Sequence, residues 1–170
     1  MTDIETLLAI EGVRKVKAQY WHAMDTKQFH RLEALFTEDA TVDFRSGRDL
    51  LPGDDYASLP PIEEALAAGD PMVVRGNRAI AAFIDDGVRD WVTVHHGAAP
   101  IIEIAGSDSA SAIWPIFDFL DNGTFQLRGY GHYHDTYRRV GGAWRIESFY
   151  ITRLRMDGDH PRHDEPSAAA

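Results

Sequence analysis

Residues 91–120 read WVTVHHGAAPIIEIAGSDSASAIWPIFDFL. In this stretch the apolar pattern changes from a helical period to a period of two, the signature of strands with one buried face. It predicts strands at 91–96, 100–105 and 110–120, with Gly106-Ser107-Asp108 as a turn. Downstream the same period continues at 127–139 and 143–155. Asp121-Asn122-Gly123 and Gly141-Gly142 supply the turns between them. The second half therefore reads as an antiparallel meander.

Upstream the period is helical. Val13, Val16, Tyr20 and Met24 form one apolar stripe, with Arg14, Lys15, Lys17 and Gln19 between them. A second short helix is expected to carry Phe29, Leu32, Leu35 and Phe36, and a strand to run from Thr41 to Phe44. Residues 45–60 are rich in Gly, Pro and Asp and read as a loop. Ser58 with Pro60, Pro61, Glu63 and Glu64 starts a short helix that Gly69 stops. The stretch 45–72 reads either as a lid or rim over a pocket or as a surface insertion. A further helix over 77–86 carries Ile80, Phe83 and Ile84, with Gly87 closing it. Helices segregated from strands define an α+β domain, with helices packed on one side of the sheet. One domain over 1–156 and a flexible tail over 157–170 are expected.

The chain has 170 residues and a formal net charge of -10, with no basic stripe to offset it. Such a surface repels phosphate backbones, so neither nucleic acid nor an anionic membrane is an expected partner. There is no cysteine, which excludes disulfides, thiolate zinc sites and cysteine nucleophiles. The first twenty residues interleave charge with apolar positions and read as neither a signal peptide nor a spanning helix. The expected location is cytoplasmic by default.

Strand parity sorts the candidate residues. His95 shares a face with Trp91 and Thr93, and His96 shares the other with Val92 and Val94. An imidazole titrating near neutrality can take a proton from carbon or return one to a leaving oxygen. Asp25 precedes Gln28 by three residues, so it reads as a cap of the second helix or as the acceptor that orients His95. Asp118 lies among Trp114, Ile116, Phe117, Phe119 and Leu120. A carboxylate there must pair, with Arg128 or Arg153 available, or hold a proton and act as an acid. Tyr20 sits on the helical stripe, either as core or with its hydroxyl on a substrate oxygen. Tyr130, His132 and His134 share one strand face and are expected as a polar pocket wall. No metal site is expected from His132 and His134, because the cupin-like Glu several residues on is missing.

Three ordered stretches carry a resemblance: YWHAMDTKQFHRLEALFTEDATVDF, VHHGAAPIIEIAGSDSASAIWPIFDFL and GYGHYHDTYRRVGGAWRIESFYITRLR. They resemble the SnoaL-like branch of the nuclear-transport-factor-2-like superfamily. The motif is nearest to its bile acid 7-alpha-dehydratase, scytalone dehydratase and hexachlorocyclohexane dehydrochlorinase members. The resemblance implies a cone-shaped, curved antiparallel sheet with N-terminal helices enclosing a pocket. It also implies active-site roles for Tyr20, Asp25, His95 and Asp118, and packing of sheet faces against another copy as a dimer or trimer. Ala98 stands where the bile acid enzyme has a further His.

These readings combine into a cofactor-independent lyase for a small apolar cyclic or aromatic compound. His95, Asp25, Tyr20 and Asp118 are the expected catalytic groups; Trp114, Tyr130, His132, His134 and His96 are the expected substrate contacts. The alternatives are an isomerase or epoxide hydrolase of the same fold, or a non-catalytic module that binds a small ligand.

Overall fold

The computed structural model describes residues 1–158. The first helix, α1, spans Asp3–Asp25 and opens with a capping box. Thr2 Oγ1 accepts from the Glu5 N–H, and the Glu5 carboxylate accepts from the Thr2 N–H. Its buried stripe is Ala9, Val13, Val16, Tyr20, Ala23 and Met24, joined by Lys17 and Trp21. At its end Lys27 adopts φ 59°. The Lys27 N–H bonds the Met24 carbonyl and the Gln28 N–H bonds the Ala23 carbonyl, a Schellman closure. Asp25 is thus the last helical residue, not the cap of a second helix. The expected second helix is two 3-10 turns, Phe29–Arg31 and Glu33–Leu35.

Phe36 belongs to a strand. The strands are β1 (Phe36–Asp43), β2 (Val73–Arg75), β3 (Val92–Gly97), β4 (Ile101–Ile104), β5 (Ser109–Asp121), β6 (Gln126–Val140) and β7 (Ala143–Gly158). The helices between them are α2 (Ser46–Asp49), α3 (Ile62–Ala67) and α4 (Asn77–Val88). Gly87, expected to close α4, lies inside it. The strand order is β2-β1-β7-β6-β5-β3, with β4 also paired to β5. β5, β6 and β7 form the expected antiparallel hairpins. The sheet as a whole is mixed, because β1 runs parallel to β7. A long crossover brings that pairing about, so hairpin turn signals could not reveal it.

The sheet curves without closing, and α1 and α4 pack on its inner face. Inner positions alternate along β5 as Ala110, Ala112, Trp114, Ile116 and Asp118, all buried. On β6 the inner positions are Gly129, Gly131, Tyr133, Asp135 and Tyr137. The core joins Val13, Val16, Tyr20, Leu32, Phe36, Val42, Ile80, Ile146 and Phe149 to them.

The 45–72 stretch begins along β7. The Gly53 N–H bonds the Arg153 carbonyl, extending the β7 edge beyond the end of β1. Tyr56 then stacks on Tyr150 with ring centroids 3.8 Å apart, and its hydroxyl donates to Asp43. Asp43 and Arg45 form a buried ion pair of 2.7 Å beneath it. β7 reaches Gly158, two residues past the expected domain end. The rest of the expected tail, 159–170, lies outside the described residues.

Candidate active site

The end of α1 lies against β3. His95 Nδ1 is 2.6 Å from Asp25 Oδ1, and the His95 backbone N–H donates to Asp25 Oδ2 at 2.9 Å. Thr93 Oγ1, on the same strand face, donates to Asp25 Oδ1 at 3.0 Å. Both carboxylate oxygens are therefore engaged from β3. Burial pushes the Asp25 carboxyl up, but the hydrogen bonds and charge from His95 outweigh it, and the net shift is downward. An ionised carboxylate only accepts, so the shared proton belongs to Nδ1, and in the neutral imidazole the lone pair falls on Nε2. The His95 side chain is 3% exposed and that of Asp25 is 25% exposed, so solvent meets the pair from the Asp25 side.

His95 pairs across the ladder with Asp118 of β5. Asp118 is the buried carboxylate the sequence singles out, and its partner is Arg153 of β7. Arg153 donates both terminal nitrogens to it, at 3.0 and 2.7 Å. The reading of Asp118 as a lone proton-holding acid gives way to a two-bonded ion pair. Gly129 makes room for it, since a Cβ there would strike both Asp118 Oδ1 and the Arg153 guanidinium. Arg153 belongs beside the four expected residues. The cue for it was the need of Asp118 for a cation, but the sequence could not choose between Arg153 and Arg128.

Tyr20 is fully buried between Phe36, Tyr133 and Phe149. Its hydroxyl and the Trp21 indole N–H find no hydrogen-bond partner among the described residues. Burial holds the phenol protonated, aided by Tyr133 and by the carboxylates of Asp135 and Asp25. The benzo edge of Trp21 also lies against Gly97, where any Cβ would collide with it.

A second ionic cluster lies on the same face, which the sequence does not announce. Lys17 falls among the polar positions of α1 in the sequence, yet it is fully buried. Its ammonium meets Asp135 at 2.8 Å and lies 3.6 Å from the Tyr133 ring centre. Tyr137 donates to Asp135, and the Trp114 indole N–H donates to Tyr137 at 2.9 Å. Burial pulls Lys17 down to about 8 although Asp135 opposes this. Trp114, expected as a substrate contact, is 4% exposed and packs edge-on against Trp21.

The other expected contacts lie elsewhere. Tyr130, His132 and His134 alternate with the buried positions of β6 and point to the outer face. There His134 stacks on Tyr150 at 4.5 Å and its Nε2 pairs with Thr152 at 3.0 Å. Burial, then His132, lowers its affinity for a proton. His96 is exposed on the outer side of β3, beside Phe117. None of these four shares a face with His95. Parity grouped Tyr130, His132 and His134 correctly, but both faces of β6 are polar and aromatic, so pattern could not say which one turned inward. Among the described residues no three His, Asp or Glu side chains gather as metal ligands.

The His95–Asp25 pair and the Asp118–Arg153 ion pair thus lie side by side on the inner face of a curved α+β sheet. The chain belongs to the SnoaL-like domain family, which matches residues 5–150. It is 28% identical over 147 residues to a probable cyclase of Gibberella zeae, covering 84% of this chain and 89% of that protein. A putative scytalone dehydratase from Novosphingobium aromaticivorans superposes with a TM-score of 0.71 at 18% identity, covering 99% of both chains. A hexachlorocyclohexane dehydrochlorinase from Novosphingobium barchaimii gives 0.70 at 15% identity, covering 98% of this chain and 100% of that one. No helix among the described residues is long and apolar enough to cross a membrane.

Proposed function

We propose that the protein is a cofactor-independent lyase that eliminates water, or a similar leaving group, from a small apolar cyclic or aromatic compound. The observation that carries this reading is the 2.6 Å contact between His95 Nδ1 and Asp25. It leaves Nε2 as the base, with a carboxylate in place to stabilise the imidazolium. Nε2 takes a proton from a carbon next to a carbonyl. The C–H pair becomes the new double bond as the neighbouring C–O bond breaks. The departing oxygen receives the proton back and leaves as water. Tyr20 donates a hydrogen bond to the substrate oxygen, and Asp118 with Arg153 steadies the charge that develops there. The dehydratase and dehydrochlorinase folds above support the reading.

Incubation with a panel of cyclic β-hydroxy ketones tests it. Loss of one water by mass spectrometry is expected, and His95→Ala is expected to slow it about 100-fold or more. Full turnover in that variant would sink the scheme.

A second reading is ring closure by carbon attack, favoured by the Gibberella zeae relative. The same base would form the attacking carbanion. Product mass separates the two, since simple closure leaves it unchanged. An unchanged mass with a changed retention time would favour closure or isomerisation over elimination.

A further inference from the structure

We propose that Lys27 is a positioning residue of the His95–Asp25 pair, acting through the hydroxyl of Thr93. The inference rests on the dyad described under Proposed function. It starts from an anomaly in the backbone. Lys27 occupies the left-handed position that closes α1, at φ 59°. Glycine takes that place at least cost, and a side chain there costs roughly 1 kcal/mol. What the lysine gains is reach. From that backbone its ammonium, half-buried, donates to the Val88 carbonyl at 3.0 Å and to Thr93 Oγ1 at 3.1 Å. It therefore ties the end of α1 to the end of α4 and to β3.

The direction of the bonds gives the link its meaning. An ammonium has no lone pair, so Thr93 Oγ1 must accept from Lys27. The single hydroxyl proton is then free for an acceptor. Two are in range: Asp25 Oδ1 at 3.0 Å and the Met24 carbonyl at 3.4 Å. Lys27 occupies the lone-pair side of the hydroxyl and keeps the proton turned to Asp25. Asp25 Oδ1 is the same oxygen that receives His95 Nδ1. The chain of contacts runs Lys27, Thr93, Asp25, His95.

Several charged or titratable groups surround the imidazole. Asp25 and Tyr20 come from α1, and Lys27 from the turn after it. Asp118 comes from β5 and Arg153 from β7, where they bond each other. Lys27 is the member of this set that reaches Asp25 through Thr93. Burial lowers its affinity for a proton, and the Asp25 carboxylate opposes that fall.

The test reads the His95 tautomer directly, by ¹⁵N shifts of the full-length protein labelled in histidine. The His95 signals are assigned by their loss in His95→Gln. Wild type is expected to hold the Nδ1–H form in its neutral imidazole. Lys27→Gly suits the left-handed backbone, so the fold is retained while the ammonium is lost. Without Lys27 the Thr93 hydroxyl is free to turn from Asp25, the carboxylate loses that tether, and His95 should shift towards the Nε2–H form that water favours. Thr93→Val should do the same, and adding Lys27→Gly to it should change little, because the two act in series. Lys27→Arg should keep the wild-type tautomer. An unchanged tautomer in Lys27→Gly would overturn the proposal whatever the turnover. A shifted tautomer with unchanged turnover would leave Lys27 as a positioning residue and remove the pair from catalysis instead. A wild-type His95 already in the Nε2–H form would sink the dyad and both readings together.

Discussion

Two ionic clusters lie on the inner face of one sheet, and they differ in what surrounds them. At one, Asp25 is a quarter exposed and His95 keeps a ring nitrogen that Asp25 does not use. At the other, Lys17 and Asp135 have fully buried side chains, and Tyr137 and Trp114 complete a closed set of hydrogen bonds. Carboxylates anchor both. The first retains capacity for a ligand, whereas the second spends its capacity on itself. Chemistry needs unspent hydrogen-bonding groups near solvent or substrate. A sealed pair fixes how α1 seats on β6. The difference separates a candidate active site from an internal clasp without reference to residue type.

Lys17→Met leaves Asp135 buried without its cation, and should cost about 3–5 kcal/mol of stability in urea denaturation. Lys17→Met combined with Asp135→Leu should recover much of that loss. If the single variant were as stable as wild type, the clasp would be of no structural account.

His95→Ala should show the opposite profile. Loss of a general base lowers turnover about 100-fold or more. Stability should shift by only about 1 kcal/mol, since one hydrogen-bonded pair at a partly open site is lost. A large fall in melting temperature would merge the two clusters into one structural unit.

Proton linkage gives a subtler contrast. Lys17 titrates at about 8 in the folded protein, below its ordinary 10.5. Between those values the unfolded chain binds more protons. Stability should therefore rise with pH from about 8 to 10.5 in wild type relative to Lys17→Met. Asp25 is shifted down. Its contribution is present above its ordinary value of 3.8 and fades as pH falls through the lower folded value. Asp25→Asn should flatten that acid limb. Denaturation curves across both ranges check the two signs.

The smallest effect belongs to the outer face. His134→Ala removes the stack on Tyr150 and the bond to Thr152, worth roughly 1 kcal/mol together. It should leave the His95 signals and turnover unchanged. A loss of activity there would bring the outer face back into the site.

The strands from residue 91 onward were legible to within three residues at their ends, because turn glycines and a period of two mark them. Parity also set His95 and Thr93 apart from His96, and the spacing between Tyr20 and Asp25 survives on one helix. Less could be read where elements meet through long connections. The parallel β1–β7 pairing joins residues about a hundred positions apart, and no local pattern encodes it. Nor could pattern show that Lys17 is core. Its ammonium is tolerated there only because Asp135 and an aromatic ring meet it across 118 residues.

His95 and Asp25 show the same division. The sequence determined their types, the strand face of one and the helical period that carries the other, because those are local properties of the backbone. Only the tertiary structure decided that the last residue of α1 would meet β3, that Arg153 rather than Arg128 would take Asp118, and that His132 and His134 would face outward. Each of those choices depends on which buried charge finds a partner, and a partner is supplied by packing and not by neighbours in the chain.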